Sequence, residues 1–202
     1  MTPQLPALPT EAWNFADVAM TALVLKPLRI RDAADRVPPK PGLYAIYAPS
    51  DVATNLGLIV TTSTPLYVGK AERSLAGRDL GTHFATNRSR PARTGGSTVR
   101  RSLAALLRVE LALQAVPRNT KNPDGSANYA LTPEGDDRLT EWMHDNLSLA
   151  VWPAPQPLPV PLRDIEKAVL WQWAPPINLT DVPQPNASLR ALRAEMTDES
   201  RA

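Results

Sequence analysis

Apolar positions recur at helical spacing in residues 10–25, TEAWNFADVAMTALVL, where Trp13, Ala16, Met20 and Leu23 share a face and Thr10 is a candidate N-cap. The pattern then changes. Residues 37–41 (VPPKP) form a rigid entry into Gly42-Leu43-Tyr44-Ala45-Ile46-Tyr47-Ala48, a short apolar run that predicts a strand. Residues 49–57 read as a polar loop, 58–62 as a second β-prone segment, and Leu66-Tyr67-Val68-Gly69 as another strand. A helix is predicted over 74–84 with a break at Gly81, followed by a basic, glycine-containing loop over 85–96.

Ser97 caps the most regular amphipathic pattern, STVRRSLAALLRVELAL, in which Leu103, Leu106, Leu107 and Leu111 form one stripe. Residues 117–128 read as loop and 129–132 as a short strand. Thr132-Pro133 is the favoured N-cap and N1 pair for a helix reaching about residue 147. A strand over 149–152 (LAVW), the segment PAPQPLPVP and a last helix over 162–173, stopped by Pro175-Pro176, complete the pattern before a polar tail from Pro183. Helices and strands alternate without repeats, which indicates a small α/β or α+β domain.

Composition narrows the class. The chain has 202 residues, no cysteine and 22 prolines, so disulfides and thiolate metal sites are excluded and long, irregular connections are expected. No apolar run approaches the roughly 20 residues of a membrane-spanning helix. The N-terminus MTPQLPALPT has neither a basic segment nor an apolar one of the secretory kind, so a soluble, cytoplasmic protein is expected. Formal net charge is +2, but residues 67–108 carry nine Lys/Arg against Glu72 and Asp79, while the remainder has 13 basic and 18 acidic residues. That concentration fits either a polyanion-facing surface or a solvated arginine-rich face.

Glu166 is the most informative single position. On a helix of 3.6 residues per turn it falls within the arc of Leu162, Ile165, Val169, Leu170 and Trp173. A carboxylate there must find a cation or hydrogen bonds, either in a structural ion pair with an arginine or as a metal ligand. Of the two histidines, His144 belongs to an exposed helix position. His83 follows Gly81-Thr82 within the basic third, as a surface residue or a proton donor or acceptor. With two histidines and no cysteine, a hard divalent ion on carboxylate oxygen suits the inventory better than zinc.

Gly42-Leu43-Tyr44, Tyr67-Val68-Gly69-Lys70, Arg78, His83, Glu166 and Pro176-Ile177-Asn178 resemble, in that order, the pattern of the GIY-YIG nucleases, in the restriction-enzyme-like branch. The resemblance covers about residues 41–180, with Leu and Val in place of the isoleucines of the two tripeptides. It departs in the 22 residues between Tyr44 and Tyr67, more than in compact members. Arg78 and His83 are also five apart, which separates them by about 140° on a regular helix.

The resemblance implies a small central mixed or antiparallel sheet, chiefly three-stranded and flanked by helices. It places a nuclease domain over 41–182 between a helical extension over 1–40 and the polar tail over 183–202. It also implies DNA phosphodiester hydrolysis to 5′-phosphate and 3′-hydroxyl ends with a single Mg²⁺ or Mn²⁺ on Glu166. A tyrosine would be the general base, Tyr44 by preference with Tyr67 positioning water or phosphate, the reverse remaining open. Lys70 and Arg78 would supply positive charge, His83 a hydrogen bond to the base or the phosphate, and Asn178 a tie from the last helix to the site.

Gly69 would let a phosphate approach the backbone. Arg88, Arg90, Arg93, Arg100 and Arg101 would contact DNA phosphates, with RNA left open as an alternative substrate. Cutting both strands with one such site implies a homodimer or sequential nicks. The competing expectation is a noncatalytic nucleic-acid-binding domain that keeps the fold. A further one is a protein-interaction domain whose basic patch meets an acidic partner.

Overall fold

The computed structural model describes residues 4–33, 35–61, 63–86, 93–119, 121, 122, 126 and 128–202. In chain order the regular elements are α1 (Thr10–Leu25), β1 (Leu28–Arg29), β2 (Gly42–Tyr47), α2 (Ser50–Asn55), β3 (Tyr67–Ala71), α3 (Leu75–Arg78), α4 (Thr98–Leu106), β4 (Ala115–Pro117), β5 (Tyr129–Leu131), α5 (Pro133–Asn146), β6 (Ser148–Pro153), α6 (Leu162–Trp173) and α7 (Ala187–Glu199). A π-helical turn, Asp79–His83, continues from α3. The chain divides into two compact units, Met1–Arg78 with His144–Pro185 and Asp79–Met143 with Asn186–Ala202.

In the first unit, β1, β6, β2 and β3 form a sheet in that order, with every neighbouring pair antiparallel. All six residues of β2 are buried, which is why GLYAIY reads as a continuous apolar run. Leu43, Ala45 and Tyr47 of β2, Val68 of β3 and Ala150 and Trp152 of β6 share one core with residues of α1 and α6. Tyr47 belongs wholly to that core. Its hydroxyl donates to the Leu23 carbonyl at 3.2 Å, and burial raises its pKa above the ordinary tyrosine range.

Alternation along β2 turns Gly42, Tyr44 and Ile46 to the opposite face, where Leu75 of α3 packs beside Gly42. A Cβ at Gly42 would run into the Trp152 carbonyl oxygen of β6, so glycine is what lets the two strands approach there. Helix α6 ends at Ala174 in left-handed conformation, ahead of the Pro175-Pro176 stop.

The second unit joins α4, the β4–β5 hairpin, most of α5 and α7. Helix α7 packs on α4 and β4 through its buried Leu189 and Met196, and Glu199 at its end pairs with Arg108 at 2.6 Å. The segment that reads as a polar tail is therefore helical over 187–199.

Other local expectations change. Residues 50–55, within the expected polar loop, are helical, started after Pro49 and closed by Gly57 at φ +69°. Residues 58–61 find no strand partner. Leu58 is buried and Ile59 fully exposed. Helix α4 stops at Leu106, beyond which Val109 is exposed and Leu113 turns inward after a left-handed Ala112. Ala115–Pro117 is a strand because β5 pairs with it.

Candidate active site

The centre of the first unit is the β2–β3 ladder, in which Tyr44 stands opposite Gly69 and Ile46 opposite Tyr67. A Cβ at Gly69 would lie 2.5 Å from both Cζ and the hydroxyl oxygen of Tyr44. The phenol therefore lies across the glycine. The space that would admit a phosphate at Gly69 is taken by the Tyr44 ring, so the glycine serves the tyrosine directly. Tyr67 stands beside it, with ring centroids 6.1 Å apart and planes inclined at 36°. Tyr44 is 1% exposed and Tyr67 8%.

Lys70 points to the other face of β3, toward α6. Its Nζ donates to Glu166 Oε2 at 2.9 Å, with Glu72 Oε1 at 3.9 Å. The Glu166 side chain is 16% exposed and Lys70 29%. Of the two structural alternatives for this carboxylate, the ion pair is real, but the cation is a lysine from β3. Desolvation raises the Glu166 pKa, Lys70 opposes this, and the nearby Asp181 and Glu72 add to the rise. Strand alternation thus sends the tyrosine pair and the Lys70–Glu166 pair to opposite faces. They are connected only through β3, the terminal strand of the sheet.

Asn178 fixes that strand. Its Oδ1 accepts from the Val68 N–H at 2.9 Å and its Nδ2 donates to the Val68 carbonyl at 2.8 Å, while Ile177 N–H bonds the Leu66 carbonyl. One amide side chain stands in for a neighbouring strand at the sheet edge. Its action is on the backbone between Tyr67 and Gly69. Arg78 ends α3, which packs on β2 and β3, and its Nε is buried with no hydrogen-bond acceptor among the described residues. An unsatisfied guanidinium donor of this kind calls for water or an anion.

His83 lies in the second unit. It is fully buried, with Nδ1 2.7 Å from the Ser97 hydroxyl. Arg100 and Arg101 correct the expectation that the first turn of α4 meets DNA, since both guanidinium groups turn inward. Arg100 is 0% exposed and donates to the His83 and Asp136 carbonyls and to Asp136 Oδ1. Arg101 donates to the Gly95 carbonyl and Thr98 Oγ1. Arg93 is exposed, 3.8 Å from Asp136 Oδ2, whereas Arg88 and Arg90 lie outside the described residues.

The partner missing from the sequence reading is Asp136. It stands three and seven residues before Leu139 and Met143 on the buried stripe of α5, the same signal that singles out Glu166.

Glu166 is the residue of this unit whose donor chemistry could hold a divalent ion. Among the described residues no three acidic or histidine side chains gather as a metal cluster. Glu166 nonetheless offers a largely desolvated carboxylate in acidic company, and magnesium commonly takes one or two carboxylates and completes its shell with water and substrate oxygens.

A tyrosine pair, a lysine-bound carboxylate on α6 and an arginine at the end of α3 are thus held on or against a narrow antiparallel sheet. Residues 42–196 match the family described as the GIY-YIG catalytic domain, and the chain belongs to that family. No curated protein and no solved structure matched it. A nucleic acid is accordingly its substrate class. No helix among the described residues is long and apolar enough to cross a membrane.

Proposed function

We propose that the protein is a divalent-metal-dependent endonuclease that hydrolyses DNA to 5′-phosphate and 3′-hydroxyl ends. The observation that carries this reading is the Lys70–Glu166 pair, a desolvated carboxylate tied to the strand on which the Tyr44 phenol lies. A binding module gains nothing from that arrangement.

Glu166 would hold the ion, which when bound supplies charge stabilisation to a non-bridging phosphate oxygen and the leaving 3′ oxygen. Tyr44 acts as general base toward the attacking water through its hydroxyl oxygen, while Tyr67 beside it orients that water or the phosphate. Attack at phosphorus forms the new P–O bond and breaks the bond to the 3′ oxygen, which takes a proton from solvent to become the 3′-hydroxyl. Arg78 directs its unfilled donor at the phosphate, and Lys70 keeps the Glu166 carboxylate ionised and aimed. The tyrosines and the carboxylate start from opposite faces of β3, whose edge Asn178 closes at Val68. Arg93 contributes a phosphate contact that sets affinity and not sequence.

The test is incubation of the protein with supercoiled, linear and branched DNA and Mg²⁺, comparing the parent with Glu166→Gln. Cleavage by the parent and none by the variant, with DNA binding kept in both, is expected. Salt-dependent binding without cleavage by the parent would return the noncatalytic reading, and undiminished cleavage by Glu166→Gln would remove the metal ligand.

A further inference from the structure

Ser97 has three duties in the second unit. It precedes α4, its Oγ accepts the Arg100 N–H at 3.2 Å as the helix cap, and the same Oγ lies 2.7 Å from His83 Nδ1. Both side chains are fully buried. With the cap bond accepted at oxygen, the hydroxyl hydrogen has one acceptor within reach among the described residues, the Nδ1 lone pair of His83. Were Nδ1 protonated, two donors would converge on the Ser97 oxygen and the hydroxyl hydrogen would lose that acceptor in a buried site.

We propose that Ser97 is a positioning residue that locks His83 as the Nε2–H tautomer, so that His83 works as a hydrogen-bond donor and not as a proton acceptor. Around the ring, the backbone is fixed as well. Arg100 Nη1 donates to the His83 carbonyl at 2.9 Å, and the guanidinium is anchored by Asp136, whose Oδ1 also accepts the Thr94 N–H at 2.9 Å. The imidazole is thus held from ring and backbone by two neighbours three residues apart on the first turn of α4. Nothing in the family pattern points to Ser97. Its relevance to catalysis rests on the proposed nuclease reading, in which a donor histidine leaves the base role to a tyrosine.

The chain has only two histidines, so a ¹⁵N-labelled protein in a His144→Ala background isolates His83 in long-range ¹⁵N–¹H spectra. The expected result at neutral pH is an unprotonated Nδ1 and a protonated Nε2, and a protonated Nδ1 overturns the proposal. Ser97→Gly removes the hydroxyl while keeping most of the cap preference, and Ser97→Thr retains the hydroxyl. Ser97→Gly is expected to release the tautomer lock and to lower kcat for Mg²⁺-dependent cleavage about tenfold, the scale seen when an imidazole loses its orienting partner, with KM for DNA little changed. Ser97→Thr should restore both. An unchanged tautomer in Ser97→Gly refutes the lock, and a released tautomer with unchanged kcat refutes the positioning role. If the parent cleaves no DNA, the nuclease reading fails, while the spectra still decide the Ser97–His83 bond.

Discussion

Gly69→Ala tests the seat of the Tyr44 phenol. The new Cβ would stand 2.5 Å from Cζ and the hydroxyl oxygen and 2.9 Å from Cε1, where ordinary contact begins at 3.4 Å. The ring must therefore withdraw by roughly 1 Å, in an interior where Tyr44 is 1% exposed and has little room to move. Overpacking of this size costs about 1–3 kcal/mol, against a gain of about 0.5–1 kcal/mol from replacing glycine within a strand. A displacement near 1 Å at a reacting group is worth about 10²-fold in rate. Gly69→Ala should accordingly lower the urea midpoint and reduce Mg²⁺-dependent nicking about a hundredfold while DNA binding persists. The decisive comparison is a double-mutant cycle with Tyr44→Ala. Without the ring the three nearest contacts of the methyl are gone, so Gly69→Ala becomes neutral or stabilising in that background and the coupling is about 1–3 kcal/mol. Equal cost in both backgrounds, or no cost in the parent, would refute the idea that the glycine exists for the tyrosine.

Glu166→Gln should keep or raise the urea midpoint at pH 7 even as it removes cleavage. A folded pKa raised above its ordinary 4.5 means that stability present below that pH is lost as the carboxylate ionises, and a loss exceeding about 1 kcal/mol in the variant would contradict this. Tyr47 and Tyr129 are both pushed upward by burial, so their stability is complete below about pH 10 and declines as pH rises further. Tyr47→Phe should flatten the fall in unfolding midpoint above about pH 10, and an unchanged slope would dissociate the tyrosine from it. Arg100→Met deprives buried Asp136 of its closest cation and should cost about 3–5 kcal/mol in chemical denaturation, whereas exposed Arg93→Ala should leave stability intact and reduce the salt slope of DNA binding by about one. Reversed effects would exchange their roles.

The elements legible in the sequence are those with local causes. GLYAIY and YVGKA carry apolar character and a close-packed glycine, α5 opens on Thr132-Pro133, and α6 ends at a proline pair. Those that escape a sequence reading depend on distant partners. Two-residue β1 and three-residue β4 exist through pairing with β6 and β5, and α7 rests on burying Leu189 and Met196. The same divide runs through the site. The order of Tyr44, Tyr67, Lys70 and Glu166 is readable, but not that Lys70, 96 residues from Glu166, is its partner, nor that Tyr44 occupies the space above Gly69. Arg100 resembles a DNA contact because position and charge are local, while its burial is decided by Asp136, 36 residues on.

Two ion pairs among the described residues, Arg100–Asp136 and Lys70–Glu166, are built for different ends. Arg100 and Asp136 are 0% and 2% exposed, and Thr94 and the His83 carbonyl take up further hydrogen bonds of the pair. Such a pair is closed. It joins three chain segments, and a ligand could enter only by breaking it. Lys70 and Glu166 retain 29% and 16% exposure, and there burial outweighs the lysine, so the carboxylate still holds a proton more readily than in water. For stability alone an apolar pair would serve as well or better. A carboxylate that its own lysine does not fully compensate, with Asp181 and Glu72 adding negative charge, is one whose surroundings favour a second positive charge. On the proposed reading this carboxylate, left unbalanced chiefly by burial, is the one that would take the metal ion, and Glu166→Gln removes its charge without disturbing the shape of the helix.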